Sequence, residues 1–366
     1  MSLLFTPTRI RSLTLPNRLV RSATAECMAD PDGHPRPELY TLYRRLAQGG
    51  VGLIITGHMY IHPTGKAHPE MTGIYHDDLL PGLEKFAHTI HHEGGLAAVQ
   101  INHGGMKNDK ESQPVAFAPS AHTEADFISR PTQALTEEHI EMLIQAFAQA
   151  AGRAQAAGFD AVQIHAAHGY LINQFLSPAV NHRTDRWGGD IEGRMRFLKK
   201  VAAAVRGQVG STFPVLIKLG MADGFEGGLS VEDGLKVISA LPQMGIDAVE
   251  ISGGLGSKTV QSTRKGTRKP AEEAYFLPFA QQAKQVTDLP IILVGGMRSR
   301  GVMEKILAGG DADLISMSRP LINQPDLPNL LRLGVQERSN CLSANNCWAD
   351  EKGVGIACKC PQVVKE

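Results

Sequence analysis

The sequence predicts an α/β fold: a single (β/α)8 TIM barrel with elaborated loops after its strands and a short cysteine-bearing C-terminal extension. Three observations carry that expectation. Short apolar runs of strand length alternate with longer segments of helical period, the pattern of parallel strands linked by crossover helices. Helix after helix ends in glycine just before the next buried run, and the runs number eight. A length of 366 residues suits one barrel with loop elaborations. An open doubly wound sheet is the competing arrangement, but it would place a Gly-x-Gly-x-x-Gly turn after its first strand, and none stands there.

Taken in order, the first strand is expected at 18–21 and its helix at 37–47. Gly49-Gly50 ends that helix and Val51-Gly52-Leu53-Ile54-Ile55 enters the second strand, 53–56, whose helix spans 78–93. Glycine supplies the left-handed conformation that stops a helix, so the same joint recurs at Gly94-Gly95 before the third strand, 97–101. The third helix, 137–156, opens with Thr136 as N-cap and Glu137-Glu138 in an acidic first turn. Gly158 leads to the fourth strand, 161–165, and the helix 192–206. The fifth strand, 215–219, precedes the helix 231–243, capped by Ser230. Gly245 leads to the sixth strand, 248–252, with its helix at 275–285. The seventh strand, 290–294, is followed by the helix 299–307, and Gly309-Gly310 by the eighth strand, 314–318, and the helix 327–335. Residues 1–336 form the barrel in this reading, and 337–366 an extension packing on the barrel or on a neighbouring subunit.

Four connections are too long for plain turns: 57–77, 102–135, 166–191 and 253–274 all follow strands, on the face where barrel enzymes build their sites. The stretch 258–269 carries Lys258, Arg264, Lys265, Arg268 and Lys269, either a solvated loop or a lid recognising an anionic group. Lysine plus arginine equals aspartate plus glutamate at 37 each, so no long-range field draws nucleic acid or an anionic membrane, and a small-molecule substrate is expected. With no run of about 18 apolar residues and no charged and apolar leader, the expected place is the cytoplasm. Cys27 stands alone while Cys341, Cys347, Cys358 and Cys360 crowd the end, which fits a reducing compartment better than a disulfide framework.

The richest segment is Gln163-Ile164-His165-Ala166-Ala167-His168-Gly169-Tyr170-Leu171, continuing through Gln174-Phe175-Leu176-Ser177-Pro178 to Asn181-His182-Arg183-Thr184-Asp185. Two imidazoles three residues apart at a strand end can point one N–H each at the same oxygen, stabilising the charge that appears there when a hydride adds to a conjugated carbon. Tyr170 can then protonate the carbon beside that carbonyl. A zinc site joined by His103 or His182, and ordinary structural histidines, stay open as alternatives. Phosphate binding has its own case. Gly295-Gly296-Met297-Arg298 follows the seventh strand and Ser318-Arg319 the eighth, where barrels often hold phosphate on backbone N–H groups.

The His165 to Asp185 run resembles the central signature of the Old Yellow Enzyme family. The likeness extends to Leu4-Phe5-Thr6-Pro7, Leu15-Pro16-Asn17-Arg18-Leu19-Val20, Gln100-Ile101-Asn102-His103-Gly104-Gly105 and Ala312 to Leu321, nearest to the barrel of the 2,4-dienoyl-CoA reductase-like branch. The resemblance implies noncovalent flavin mononucleotide (FMN), NADH or NADPH as reductant, and reduction of the activated C=C bond of enone-type substrates. His165 and His168 then hold the substrate carbonyl and Tyr170 donates the proton. Ala23, Thr24, Gly57, Gln100, Lys218, Gly295, Gly296, Ser318 and Arg319 are the flavin-binding candidates, with Lys218 stabilising the anionic reduced ring. Three positions depart from the family pattern: Ala25 stands where a flavin-touching thiol or hydroxyl is common, Met106 where an arginine often follows, and Lys218 in place of arginine.

The terminal cysteines resemble the family's four-iron ligand run, but Ala344 occupies an expected ligand position, so neither a [4Fe-4S] cluster nor zinc at Cys341, Cys347, Cys358 and Cys360 is expected. Two other functions remain to be distinguished: a flavin-bearing redox sensor or electron carrier working through these thiols, and a metal-dependent barrel hydrolase. A homo-oligomer is compatible with the sequence. The natural substrate and the preference between NADH and NADPH are not written in it.

Overall fold

The computed structural model describes residues 2–123, 130–349 and 353–361; part of the loop 102–135 and the chain's last residues lie outside these. Eight parallel strands form the barrel: β1 (Leu19–Arg21), β2 (Leu53–Ile55), β3 (Ala97–Asn102), β4 (Ala161–Ala166), β5 (Val215–Gly220), β6 (Ala248–Ser252), β7 (Ile291–Leu293) and β8 (Leu314–Met317). Each pairs with the next in sequence, and β8 returns to β1 with Ile315 opposite Leu19 and Met317 opposite Arg21, which closes the ring. All eight lie in the apolar runs that predict them.

The crossover helices are α1 (Pro37–Gln48), α2 (Leu80–His92), α3 (Glu137–Ala156), α4 (Arg196–Val209), α5 (Val231–Ala240), α6 (Leu277–Ala283), α7 (Arg300–Ala308) and α8 (Leu327–Arg332). Thr136 caps α3 by accepting from His139 N–H, and Ser230 caps α5 by accepting from Asp233 N–H. Five helices are shorter than their periodicity suggests: the second loses a residue or two at each end and the eighth stops at Arg332, while three others show why. The fifth ends at Ala240 because Pro242 cannot donate a helical hydrogen bond, and one 3-10 turn, Pro242–Met244, follows. The sixth starts at Leu277, since Ala274 adopts φ 57 and Tyr275 N–H is taken by Gly295 O, which turns the tyrosine away from the helix. The fourth is split at Met195, after the short helix Ile191–Arg194. No helix among the described residues is long and apolar enough to cross a membrane.

An element absent from the sequence reading is the antiparallel hairpin of Thr8–Ile10 and Leu13–Leu15. Its Ile10 and Leu15 pack against Val20, Leu53, Ile55, Ala98, Ala161, Leu216, Ala248, Ile292 and Leu314, forming an apolar floor inside the barrel. Side chains alternate along a strand, so the next inward position lies two residues on. That step replaces the apolar floor with polar residues: Ser22, Gln100, Gln163, Lys218, Glu250 and Ser316, all at most 2% exposed. One further step reaches Thr24, His165, Ser252, Gly296 and Ser318 at the carboxyl ends of the strands, where the candidate site lies.

Candidate active site

The buried polar layer is organised around Glu250. Its carboxylate accepts from Ser22 Oγ at 2.7 Å, Ser316 Oγ at 2.9 Å and Gln163 Nε2 at 3.0 Å, and pairs with Lys218 Nζ at 3.2 Å. Gln163 Oε1 accepts from Gln100 Nε2 at 2.6 Å, and Lys218 also donates to Ser22 Oγ at 2.8 Å. A fully buried carboxylate is tolerable only with its lone pairs satisfied and its charge matched, and here both conditions hold. The network fixes Gln100 and Lys218 against the cavity above.

That cavity lies at the carboxyl ends of the strands and, counting its open mouth, spans about 1060 Å³ of non-atom space. His165, His168, Tyr170, Ala23, Thr24, Gln100, Lys218, Gly296, Ser318 and Arg319 all line it. Gly57 and Gly295 do not. Each stands one residue behind a lining position, next to His58 and Gly296. Gly57 N–H is held by Glu26 Oε1 at 2.7 Å and by the Tyr43 hydroxyl at 2.8 Å, so it is not free for a ligand. Gly295 takes φ 135, and its carbonyl holds Tyr275 N–H.

The three candidate catalytic side chains converge. The His165 ring lies 5.0 Å from that of His168 and 4.9 Å from that of Tyr170. His168 occupies the left-handed region at φ 61, and Lys107 Nζ donates to its carbonyl at 2.7 Å, so the turn that presents it is pinned from outside. His165 Nδ1 accepts from Ala167 N–H at 3.3 Å, and His168 Nε2 lies 2.7 Å from Ser252 Oγ. Burial, assisted by neighbouring imidazoles and by Lys218 and Lys107, holds both histidines well below the ordinary imidazole range. Burial also raises the Tyr170 phenol, with Cys27 contributing.

Two imidazoles absent from the sequence reading, His58 and His68, line the same cavity, as do Tyr275 and Arg298. Arg298 Nη1 and Nη2 donate to Thr267 O and Ser339 O, while its Nε is buried with no hydrogen-bond partner among the described residues. An unused guanidinium N–H on the loop after β7 suits a phosphate, and Gln100 with Lys218 on another wall offers amide and cation to a polar ring edge. The residues present therefore fit FMN. Within 258–269, Ser262 and Thr263 line the cavity and Arg264 O accepts from Arg319, whereas Lys258, Lys265, Arg268 and Lys269 are exposed.

The zinc alternative finds no third ligand. His103 is buried against Thr64, His182 packs on His122, and among the described residues no three His, Cys, Asp or Glu side chains cluster tightly enough to hold a metal ion. Ala25 lines the cavity, while Cys27 lies behind it with its thiol pushed up to about 11, chiefly by burial. Cys341, Cys347, Cys358 and Cys360 are free thiols, and burial pushes Cys347 up to about 11. The extension that carries them lies on its own barrel. Gly353 N–H donates to Glu70, Ile356 N–H to Glu26 O and Gly266 N–H to Ser343 O, so Ser343 and Trp348 become part of the cavity wall.

Comparison with known proteins finds relatives along nearly the whole chain. The chain is 36% identical over 353 residues to a metal reductase from Desulforamulus reducens, covering 96% of this chain but 52% of that protein, so it spans about half the length of this relative. It is 34% identical to an NADPH dehydrogenase from Bacillus subtilis, covering 88% of this chain and 92% of the relative. Among solved structures, a 2-naphthoyl-CoA reductase in complex with 2-naphthoyl-CoA superposes with a TM-score of 0.85 at 30% identity, over 91% of this chain and 52% of that one. The sequence profile of the NADH:flavin oxidoreductase / NADH oxidase family matches residues 3–338. On that match and on the closed barrel, the chain belongs to the NADH:flavin oxidoreductase / NADH oxidase family.

Proposed function

We propose that the protein takes reducing equivalents from NADH or NADPH through FMN and reduces the activated C=C bond of enone-type small molecules. The observation that carries this reading is the convergence of His165, His168 and Tyr170 on one cavity whose other walls hold Gln100, Lys218 and the glycine and serine loops after β7 and β8. FMN, when bound, supplies the hydride. The protein's own groups do the rest. Ala167 N–H occupies His165 Nδ1, leaving its proton on Nε2, and in this reading the Ser252 hydroxyl, 2.7 Å from His168 Nε2, is assigned as the donor so that this ring's proton sits on Nδ1. Each neutral imidazole thus presents one N–H to the substrate's carbonyl oxygen, where negative charge accumulates as the double bond is attacked. Tyr170, kept protonated by burial, gives its proton to the carbon next to that carbonyl.

Gln100, through its oxygen and second amide hydrogen, and the Lys218 cation bind the polar edge of the flavin, with Ala23 and Thr24 beside them. Gly296, Ser318 and Arg319 take the phosphate, with Arg298 Nε as a further donor. Gly57 and Gly295 act by shaping the backbone behind His58 and Gly296. The extension beyond residue 336 completes the cavity wall in this reading, so its cysteines need carry no electrons. The relatives' names, an NADPH dehydrogenase and a reductase of an aromatic thioester, support the reaction class.

The test is spectroscopic. The purified protein should be yellow, should bleach with NADH or NADPH under anaerobic conditions, and should recover its colour when an enone is added. A bleached protein that recovers with oxygen but with no enone would favour the electron-carrier reading, and a colourless chain that takes up no added FMN would overturn both.

A further inference from the structure

The imidazole of His58 has no role in the reading above, yet it stands in the same cavity. It is the third residue past β2, and backbone pairing on its far side fixes the chain there. Met59–Tyr60 continue as a short parallel strand against the end of β3, Met59 opposite Ile101 and Tyr60 opposite Asn102, and Ile61 N–H donates to Asn102 O at 3.1 Å. The His58 ring lies 5.0 Å from that of Tyr170 and 5.9 Å from that of His165, centroid to centroid. The buried Asn102 carboxamide nitrogen lies 2.9 Å from His58 Nδ1, so Nδ1 accepts and the ring's proton resides on Nε2. Among the described residues that N–H has no hydrogen-bond partner, and it is not sealed from the cavity.

We propose that His58 is a third substrate-binding imidazole, selecting enones that carry a second hydrogen-bond acceptor, with ene-diones as the chemical class. The proposal rests on the ene-reduction reading, in which His165 and His168 hold one carbonyl oxygen. A cyclic enone with a single carbonyl then leaves the Nε2–H of His58 desolvated against hydrocarbon, whereas the second carbonyl of an ene-dione accepts it. Sites built around a donor discriminate strongly against ligands that leave it unpaired, so the second oxygen raises specificity by about tenfold or more.

The test uses the FMN-loaded enzyme with ketoisophorone, an ene-dione, and isophorone, which lacks the second carbonyl. His58→Ala should lower kcat/KM for ketoisophorone by about tenfold and for isophorone by less than about threefold. Comparing variant with wild type on each substrate cancels the dione's greater intrinsic reactivity. His58→Phe, which keeps a ring without the N–H, should lose the same selectivity, and His58→Gln, which restores an N–H, should recover most of it. A readout independent of turnover is calorimetric binding of phenol and para-hydroxybenzaldehyde to the oxidised holoprotein, where only the aldehyde should lose about tenfold in affinity with His58→Ala and His58→Phe. Equal losses on both members of each pair would make His58 a packing residue for Tyr170 and His165, and unchanged values on both would remove it from the substrate. Failure of NADH and NADPH to bleach the wild-type protein would refute the ene-reduction reading instead, and the binding pair would still decide the role of His58.

Discussion

In the proposed reaction Tyr170 and the imidazoles around it divide the labour, and each division can be measured. The phenol is held protonated by burial, so its removal should affect only the step that needs a proton. Tyr170→Phe should slow the enone-dependent half of the cycle by about a hundredfold or more, while reduction of the flavin by the nicotinamide nucleotide stays within about twofold, as read by stopped flow. Equal losses in both halves would remove the assignment. His165→Ala should weaken phenol binding by about tenfold, because a phenolate oxygen mimics the substrate oxygen between the two N–H donors; unchanged affinity would move the oxyanion site elsewhere. The candidates for these two proposed roles were legible as residue types at a spacing, His165, His168 and Tyr170 within six residues of one segment. His58 was not legible, because its partners Asn102, His165 and Tyr170 come from other parts of the chain.

Among the elements, the loops after β7 and β8 form the end of the cavity proposed to hold the phosphate. Gly296 adopts φ 73, and a Cβ there would meet Thr267 Cγ2 at 3.0 Å and Tyr275 Cε1 at 3.1 Å. Gly296→Ala should therefore weaken FMN binding by about tenfold or more, visible as substoichiometric flavin after dialysis, since the substitution strains a left-handed residue and crowds the cavity wall. Flavin content equal to wild type would place the phosphate elsewhere. The capping of α3 offers a contrasting change on the outer layer. Thr136→Ala removes the acceptor of His139 N–H and should cost about 1 kcal/mol in urea denaturation without altering flavin content. Helix starts such as this were legible because caps are local chemistry. Helix ends near Pro242 and Tyr275 were misjudged, because apolar period persists past the point where proline, or a tyrosine turned toward the cavity, breaks the hydrogen-bond ladder.

At the scale of the whole molecule, a neutral protein carries an unusual set of interior imidazoles. His58, His103, His165 and His168 are each held below the ordinary imidazole range by burial, His103 down to about 3. The unfolded chain binds protons near pH 6.5 while these folded sites do not, so stability is full above that pH and falls as the solution is acidified toward the folded values. Each such histidine contributes a slope of about 1.4 kcal/mol per pH unit over that window, and unfolding free energies of the FMN-loaded protein measured between pH 7 and 5 should show more than one proton's worth. A flat profile would mean that these rings are protonated in the native state. The sequence by itself determined the closed eight-stranded barrel, its caps and the His165 to Tyr170 segment, because periodicity, glycine joints and short spacings are properties of neighbouring residues. Only the tertiary structure decided that Glu250 anchors Gln163, Lys218 and the two serines, that His58 joins the site, and that the C-terminal extension walls it with Ser343 and Trp348. A barrel brings every second residue of eight separate strands to one axis, and which side chains meet there depends on strand register and tilt, which no local pattern encodes.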